Sequence, residues 1–472
     1  MSSYGSCKQP RRTPHGDPAE QYRSRRDRRR VREASRLDEA GAGSPTLARI
    51  ADREALIAAY HRLKARGGRG PGRDGITYTD LGLSEVAAIL DDLATALRSG
   101  AYKPGPALRR PIPKPGGRGT RTLSIRNLTD RVVSAAVLEA LTPAFEPTFS
   151  DRSHGFRPGR GTWSLLAALE ADATTTGSTT LAIDDVRNAF DNVSIAHLME
   201  DLREHVKDPR LLTLIEAVVR GGEDEDRTRG IPQGDPLAPL LLNVRLHVVH
   251  DLPLHGDPDA PPWHRYADNL CYLAEGVPEG REILQHARDL LLRGGHELKG
   301  EDGPPIDLRQ GVARLLGFDL SIEDDRLRLG VGEDAWGELR QGLDRAHEEE
   351  TPPDAARAVV RGWVESYGPA FEIRTETDVP GRILGTAADL GFRELASRRD
   401  LAAWCEGSRR RWEALREGTL MRRRGPGRQG AAAVAAPPAT TAPGGRSTDR
   451  PPRPGGRGRS PAGRLRTSRA ST

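Results

Sequence analysis

Two stretches of the 472-residue chain carry the residues best suited to chemistry. In TTLAIDDVRNAFDNV, Leu181 and Ile183 alternate with small or polar neighbours before the chain meets Asp184 and Asp185, which predicts a strand ending on carboxylates. HRYADNLCYL reads as a strand, a two-residue corner at Asp268 and Asn269, and a further strand. A carboxylate at a buried strand end is unfavourable unless it is paired or bound to a cation. Asp185 and Asp268 together could hold hard divalent cations, which take oxygen ligands and bridge substrate phosphates, and that arrangement suits phosphoryl transfer. Each residue also has an ordinary reading. Asn and Asp tolerate the left-handed backbone of a tight hairpin, and Asp184 or Asp191 would serve as helix caps.

The elements that must position these residues can be read around them. DREALIAAYHRLKARGG predicts a helix with Leu56, Ile57, Tyr60 and Leu63 on one face, and VAAILDDLATALRSG predicts a second. YKPGPALRRPIPKPGGRGTRTLSI is a basic hairpin or loop that suits either a solvated surface or a phosphate clamp. DRVVSAAVLEALTP is an amphipathic helix that Asp130 would cap and Pro143 would close. SHGFRPGRGTWSLLAALEA turns at Pro158 and Gly159 into another helix, placing Arg157 and Arg160 at a helix start where backbone N–H groups favour anions. Between the two acidic stretches, Gly230, Pro232, Gly234 and Pro236 make a stiff loop ahead of the apolar helix PLLLNVRLHVV.

Length predicts two folded units plus tails. No apolar run approaches the roughly 18 residues of a membrane span, and MSSYGSCKQPRRTPHG lacks a signal-peptide core, so a soluble, cytoplasmic protein with no membrane partner is expected. Cys7, Cys271 and Cys405 are scattered, which argues against a disulfide framework or a zinc knuckle. The net charge of +5 is uneven: residues 1–50 carry 12 Lys and Arg against 6 Asp and Glu, and residues 417–472 carry 12 Arg against 2 acidic residues. The stretch between them is therefore acidic. Both ends are rich in Arg, Pro, Gly, Ser and Ala, so residues 1–48 and 417–472 are expected to be disordered. Such tails suit salt-dependent, sequence-blind nucleic-acid binding, or are simply solvated.

Taken in order, IPKPGGRGTRTLSI, DRVV…LTPAFEPTF, SHGFRPGRG, DVRNAFDNV, GIPQGDPLAPLLLN, RYADN, LLGFDL and VVRGWVESYG resemble the bacterial group II intron reverse transcriptases and maturases, across roughly residues 50 to 410. The resemblance implies an α+β right-hand polymerase: fingers and palm, an antiparallel sheet flanked by helices, over residues 49–330, and an α-helical thumb or maturase region over 331–416. It makes Asp185 and Asp268 the catalytic carboxylates that bind Mg²⁺, with Mn²⁺ as a substitute and the Val186 carbonyl as a further ligand. Lys114 and Arg121 match positions that grip the incoming dNTP, Phe190 the ring set against its sugar, and Gln233 a residue lining the nucleotide pocket. Implied partners are an RNA template, a DNA or RNA primer, dNTPs, and a structured intron or other non-coding RNA. Trp363 and Tyr367 would share a helix face, as core rather than as base-stacking platforms. Nothing resembles the Cys/His endonuclease domain that such proteins often append.

The chain also departs from that family. Asn269 stands where YADD has a second Asp, Glu301, Asp302 and Gly303 stand where a Lys-Thr pair is usual, RTLSIRN replaces RPLGIP, and His154 replaces a Tyr. An amide oxygen can still ligate Mg²⁺, but a charge is lost. If the second carboxylate is only an outer partner of the metal, a loss of about 10–100-fold is expected. The alternative function is a polymerase-attenuated or inactive RNA-binding protein of the maturase kind.

Overall fold

The computed structural model describes residues 44–66, 70–113, 120–222, 226–301, 303–371 and 378–424. Thr46 caps a short helix α1 (Leu47–Ile50), and α2 (Arg53–Arg66) and α3 (Leu83–Ser99) follow as read. Gly100 ends α3 at φ 77°, a left-handed cap that favours glycine. The basic stretch forms an antiparallel hairpin of β1 (Leu108–Pro113) and β2 (Thr120–Ile125), with Leu108 opposite Ile125.

Helix α4 (Leu128–Phe145) runs through Pro143 instead of ending there, and Asp130 does not cap it. Asp130 is buried, accepting from the Tyr102 hydroxyl at 2.7 Å and the Gly105 N–H at 3.0 Å. A proline near the end of a helix removes one internal hydrogen bond without requiring the last turn to stop. Helix α5 (Thr162–Thr176) leads into β3 (Thr180–Asp185), and α6 (Ile195–Arg203), α7 (Pro209–Arg220) and α8 (Ala238–Leu246) follow. Helix α8 continues through a π turn at His247–Asp251 into a last turn, Leu252–His255.

Strands β4 (Trp263–Tyr266) and β5 (Asn269–Ala274), helix α9 (Val277–Arg293) and the short β6 (Ile306–Asp307) complete an antiparallel sheet of order β4-β5-β3-β6. The stretch containing LLGFDL forms a separate three-stranded sheet: β7 (Ala313–Leu315), β8 (Phe318–Glu323) and β9 (Arg326–Val331). Four helices end the described chain: α10 (Glu333–Ala346), α11 (Pro352–Ser366), α12 (Val379–Asp389) and α13 (Arg398–Arg424).

Two apolar cores form. The first gathers Leu56, Val133, Leu141, Leu198, Ile215 and Leu241 with one face of the larger sheet. The second joins Leu165, Leu181 and Leu273 to Trp336, Trp363, Tyr367 and Trp412, so Trp363 and Tyr367 are core residues. A division at residue 331 therefore marks the change from strands to helices and falls inside this second core.

The fold is thus α+β, with antiparallel sheets flanked by helices and a helical C-terminal region. Within the stretches expected to be disordered, residues 47 and 48 lie in α1, where Leu47 buries, and residues 417–424 lie in α13. The remainder of both tails, residues 1–43 and 425–472, lies outside the described residues. No helix among the described residues is long and apolar enough to cross a membrane.

Candidate active site

Strand pairing brings the two acidic stretches together. Asp185, the last residue of β3, is the register partner of Asn269, the first residue of β5. One step further the Val186 N–H donates to the Asp268 carbonyl at 3.0 Å, so both candidate carboxylates stand at the same end of the sheet. The corner lies at Ala267 and Asp268, not at Asp268 and Asn269, and Asn269 is already strand. Ala267 adopts φ 56° and Asp268 does not share the positive φ, the pattern of signs of a type II′ hairpin turn.

Asp184 and Asp185 are set apart by the pleat. Asp184 is buried and accepts from the Gly300 N–H at 2.9 and 3.1 Å, which makes it a structural anchor. Asp185 is about a quarter exposed, and Lys299 Nζ stands 3.8 Å from its Oδ2. Burial pushes the Asp268 carboxyl above the usual carboxylate range, against the opposing pull of its own backbone N–H, Arg265 and Lys299.

A hard cation at this corner would restore the charged form. Among the described residues no cluster of three or more His, Cys, Asp or Glu could hold a metal. Two carboxylates completed by carbonyl, water and phosphate oxygens suit Mg²⁺, which keeps several waters and seldom takes an all-protein cage, so the residues present fit that ion.

Lys299 was not singled out in the sequence, where the lysine motif reads as lost. It sits between Asp185 and Glu301, 3.7 Å from the latter, and Arg187 donates to its carbonyl at 2.6 Å. A cation therefore faces the site from the strand-like segment beside β3, although Glu301 occupies the usual position.

Phe190 and Gln233 are each held by a bond to the backbone carbonyl. The Ile231 N–H donates to the Phe190 carbonyl at 2.9 Å, and the Ser124 N–H of β2 donates to the Gln233 carbonyl at 2.8 Å. Gly234 adopts φ 98°, and an added Cβ would come within 2.6 Å of Leu123, so only glycine lets the loop lie against the hairpin. Asp235 anchors this loop: it accepts from Ser134 at 2.9 Å and from the Leu237 N–H at 2.8 Å, and pairs with Arg126 where both side chains are 2% exposed. Arg121 lies in β2 opposite Ile112, and Lys114 lies outside the described residues.

Arg157 differs from its expected place. It is buried, and its guanidinium is bonded to the Glu146 carboxylate at 2.9–3.2 Å and to the Ser150 and Ser153 carbonyls at 2.5 and 2.7 Å. Those donors point inward. Arg160 stays partly exposed and pairs with Asp151.

The corner itself is held from behind. Arg265 donates to Asp251 at 2.9 and 2.5 Å, to Asn243 Oδ1 at 2.8 Å and to the Ala267 carbonyl at 3.0 Å. Burial raises the Asp251 carboxyl, but Arg265 together with bonds from His247 and His250 outweighs it and holds the group well below the usual range. Nothing in the local sequence singles out Asp251 or Asn243; only a charged residue inside the short strand WHRY hints that Arg265 has a buried partner.

Residues 112–301 match the sequence profile of the family described as reverse transcriptase (RNA-dependent DNA polymerase). The chain is 33% identical to protein YkfC of Escherichia coli (strain K12), over 51% of this chain and 73% of that protein. It is 32% identical to the group II intron-encoded protein LtrA of Lactococcus lactis subsp. cremoris, over 36% of this chain but only 31% of LtrA. Among solved structures, a telomerase from Candida albicans in complex with a telomeric RNA fragment aligns at a TM-score of 0.38 and 11% identity, covering 69% of this chain and 67% of that one.

Proposed function

Because the chain belongs to the reverse transcriptase (RNA-dependent DNA polymerase) family, we propose that it is an active polymerase that extends a primer 3′ end with deoxynucleotides on an RNA template, Asp185 and Asp268 holding Mg²⁺ or Mn²⁺. One observation carries the reading: two carboxylates far apart in sequence end adjacent strands whose backbones are bonded at Val186 and Asp268. A divalent cation held there would lower the pKa of the primer 3′ hydroxyl and neutralise charge on the leaving pyrophosphate.

The chain's own residues supply the rest. Asp185 and Asp268 provide fixed negative charge in a partly desolvated corner, and the Val186 carbonyl is a further oxygen. Lys114 and Arg121 donate to the triphosphate, for which cationic donors are the strong partners. Phe190 stands against the nucleotide sugar and excludes a 2′-hydroxyl, while Gln233, tied to β2, lines the pocket beside the template base. Arg160 contacts a backbone phosphate; Arg157, bonded inward, does not. Residues 49–330 act as fingers and palm and 331–416 as thumb, with a structured intron or other non-coding RNA as the further partner.

A second reading has its own observation. Asn269, the residue directly opposite Asp185, lacks the charge a second carboxylate would bring, which favours an RNA-binding maturase-type protein with attenuated polymerase activity. Primer extension on an RNA template with Mg²⁺ or Mn²⁺ decides between them. The polymerase reading expects dNTP incorporation that Asp185→Ala abolishes without unfolding the protein. RNA binding and cellular function indifferent to Asp185→Ala, with no incorporation, would establish the other.

A further inference from the structure

Behind β4 a row of polar side chains is joined end to end. His154 Nε2 stands 3.4 Å from His264 Nδ1, and His264 Nε2 stands 3.0 Å from Asp172 Oδ2. At the other end His154 Nδ1 lies 2.9 Å from Ser164 Oγ. Both imidazoles and Asp172 are buried. Ser164 and Asp172 are roughly two turns apart on α5, so the two rings run along that helix and tie it to β4.

The direction of each hydrogen bond follows from the acidic end. Arg152 Nη1 pairs with Asp172 Oδ2 at 2.5 Å, which keeps the carboxylate an acceptor, so His264 donates from Nε2. Burial, with Arg152 nearby, pushes the His264 imidazole down to about 3, so the ring is neutral and its Nδ1 carries no proton. That bare nitrogen needs a donor, and His154 Nε2 faces it. Neutral His154 then accepts at Nδ1 from the Ser164 hydroxyl. The same hydroxyl reaches the Gly161 carbonyl at 2.8 Å, but this carbonyl already accepts from the Leu165 N–H at 3.2 Å. The Gly161 N–H donates to the Ser164 oxygen at 3.0 Å, which leaves the serine proton for the ring.

The row is fastened to the hairpin that presents Asp268. Along the outer edge of β4, the Arg265 N–H donates to the Arg152 carbonyl at 2.9 Å and the His154 N–H to the Arg265 carbonyl at 2.8 Å. The next residue, Gly155, accepts from Asn243 Nδ2 at 2.8 Å, and a Cβ on it would come within 2.2 Å of the Ala267 nitrogen. A shift of His154 is therefore passed to the backbone of the corner.

We infer that His154 is a positioning residue for Asp268, holding the corner through a one-way chain of hydrogen bonds from Ser164 to His154 to His264 to Asp172. This rests on the polymerase reading. An apolar side chain of similar size cannot take its place, because His264 Nδ1 and the Ser164 hydroxyl would each lose a buried partner. Glutamine can, since its amide offers both a donor and an acceptor.

The test uses the full chain carrying nitrogen-labelled histidine, the variants His154→Leu and His154→Gln, and a primer–template duplex. Nitrogen NMR of the wild-type chain should show both rings as neutral tautomers protonated at Nε2; a proton on Nδ1 of either ring overturns the inference. This reading needs no variant to fold. With burst amplitudes counting the active molecules, His154→Leu should lower the single-turnover rate of incorporation about tenfold, as loss of an outer partner of a metal ligand does. Duplex affinity and the dNTP concentration for half-maximal rate should stay unchanged, and His154→Gln should recover most of the rate. An unchanged rate in His154→Leu, a loss of duplex affinity in its place, or equal losses in both variants overturns the inference and leaves the polymerase reading standing. A wild-type chain that incorporates no dNTP overturns both.

Discussion

Arg265 and Asp251 form a two-point ion pair, 2.9 and 2.5 Å, with both side chains wholly buried. The same guanidinium reaches the Ala267 carbonyl, so the charge pair sets the backbone that presents Asp268. Removing one partner strands a buried charge, which typically costs about 3–5 kcal/mol. Arg265→Met and Asp251→Leu should each lower the unfolding free energy by an amount in that range and reduce primer extension. The double variant Arg265→Met/Asp251→Leu should lose less stability than the sum, because no lone charge remains. Additive losses in equilibrium unfolding would show that the two residues do not act as a pair.

Asn269 faces Asp185 across β3 and β5. If the missing charge matters through the metal's surroundings, restoring it should raise the rate by about tenfold, within the usual range for such outer partners. Single-turnover primer extension by Asn269→Asp measures this directly, and an unchanged rate means that a second carboxylate is dispensable here.

Lys299 holds Asp185 at 3.8 Å and contributes to the field at Asp268. Any cation entering the corner meets its repulsion, so Lys299→Met should lower the Mg²⁺ concentration needed for half-maximal activity by a few-fold. The same variant should raise the KM for dNTP, because a cation that is released from Asp185 when a metal binds is free to meet the triphosphate. A Mg²⁺ titration of initial rates that shows no leftward shift removes Lys299 from the site.

Two buried histidines set an acid limit on stability. Burial, with Arg152 nearby, pushes His264 down to about 3, and burial, with Arg245 and Arg229 nearby, pushes His296 down to about 4. The buried ring nitrogens of His296 have no hydrogen-bond partner among the described residues. Both groups stay neutral in the folded state while the unfolded chain takes up protons near its ordinary value of about 6.5. Stability is therefore unaffected above that value, falls as pH drops from about 6.5, and levels for His296 below about 4. For His296 alone the shift corresponds to about 3 kcal/mol. Urea unfolding across this window should show the loss, and His296→Leu should flatten part of its slope.

By itself the sequence determined which residues have the chemistry. Alternation placed Asp185 at a strand end, turn residues placed Asp268 at a corner between strands, helical spacing put Leu56 and Tyr60, and Trp363 and Tyr367, on shared faces, and the ordered motifs identified the family. Those are local or pairwise features, and periodicity reports them. Tertiary structure alone decided which polar groups face the site and which are consumed in holding it. Arg157 reads like a phosphate contact until Glu146 and two carbonyls take its donors, and the lysine motif reads as lost until the pairing of β3 with its neighbours carries Lys299 to Asp185. Arg265 and Asp251 find each other only when a helix packs across the hairpin. A buried charge or a buried imidazole is specified by its partners, and those partners are brought near by folding, not by spacing along the chain.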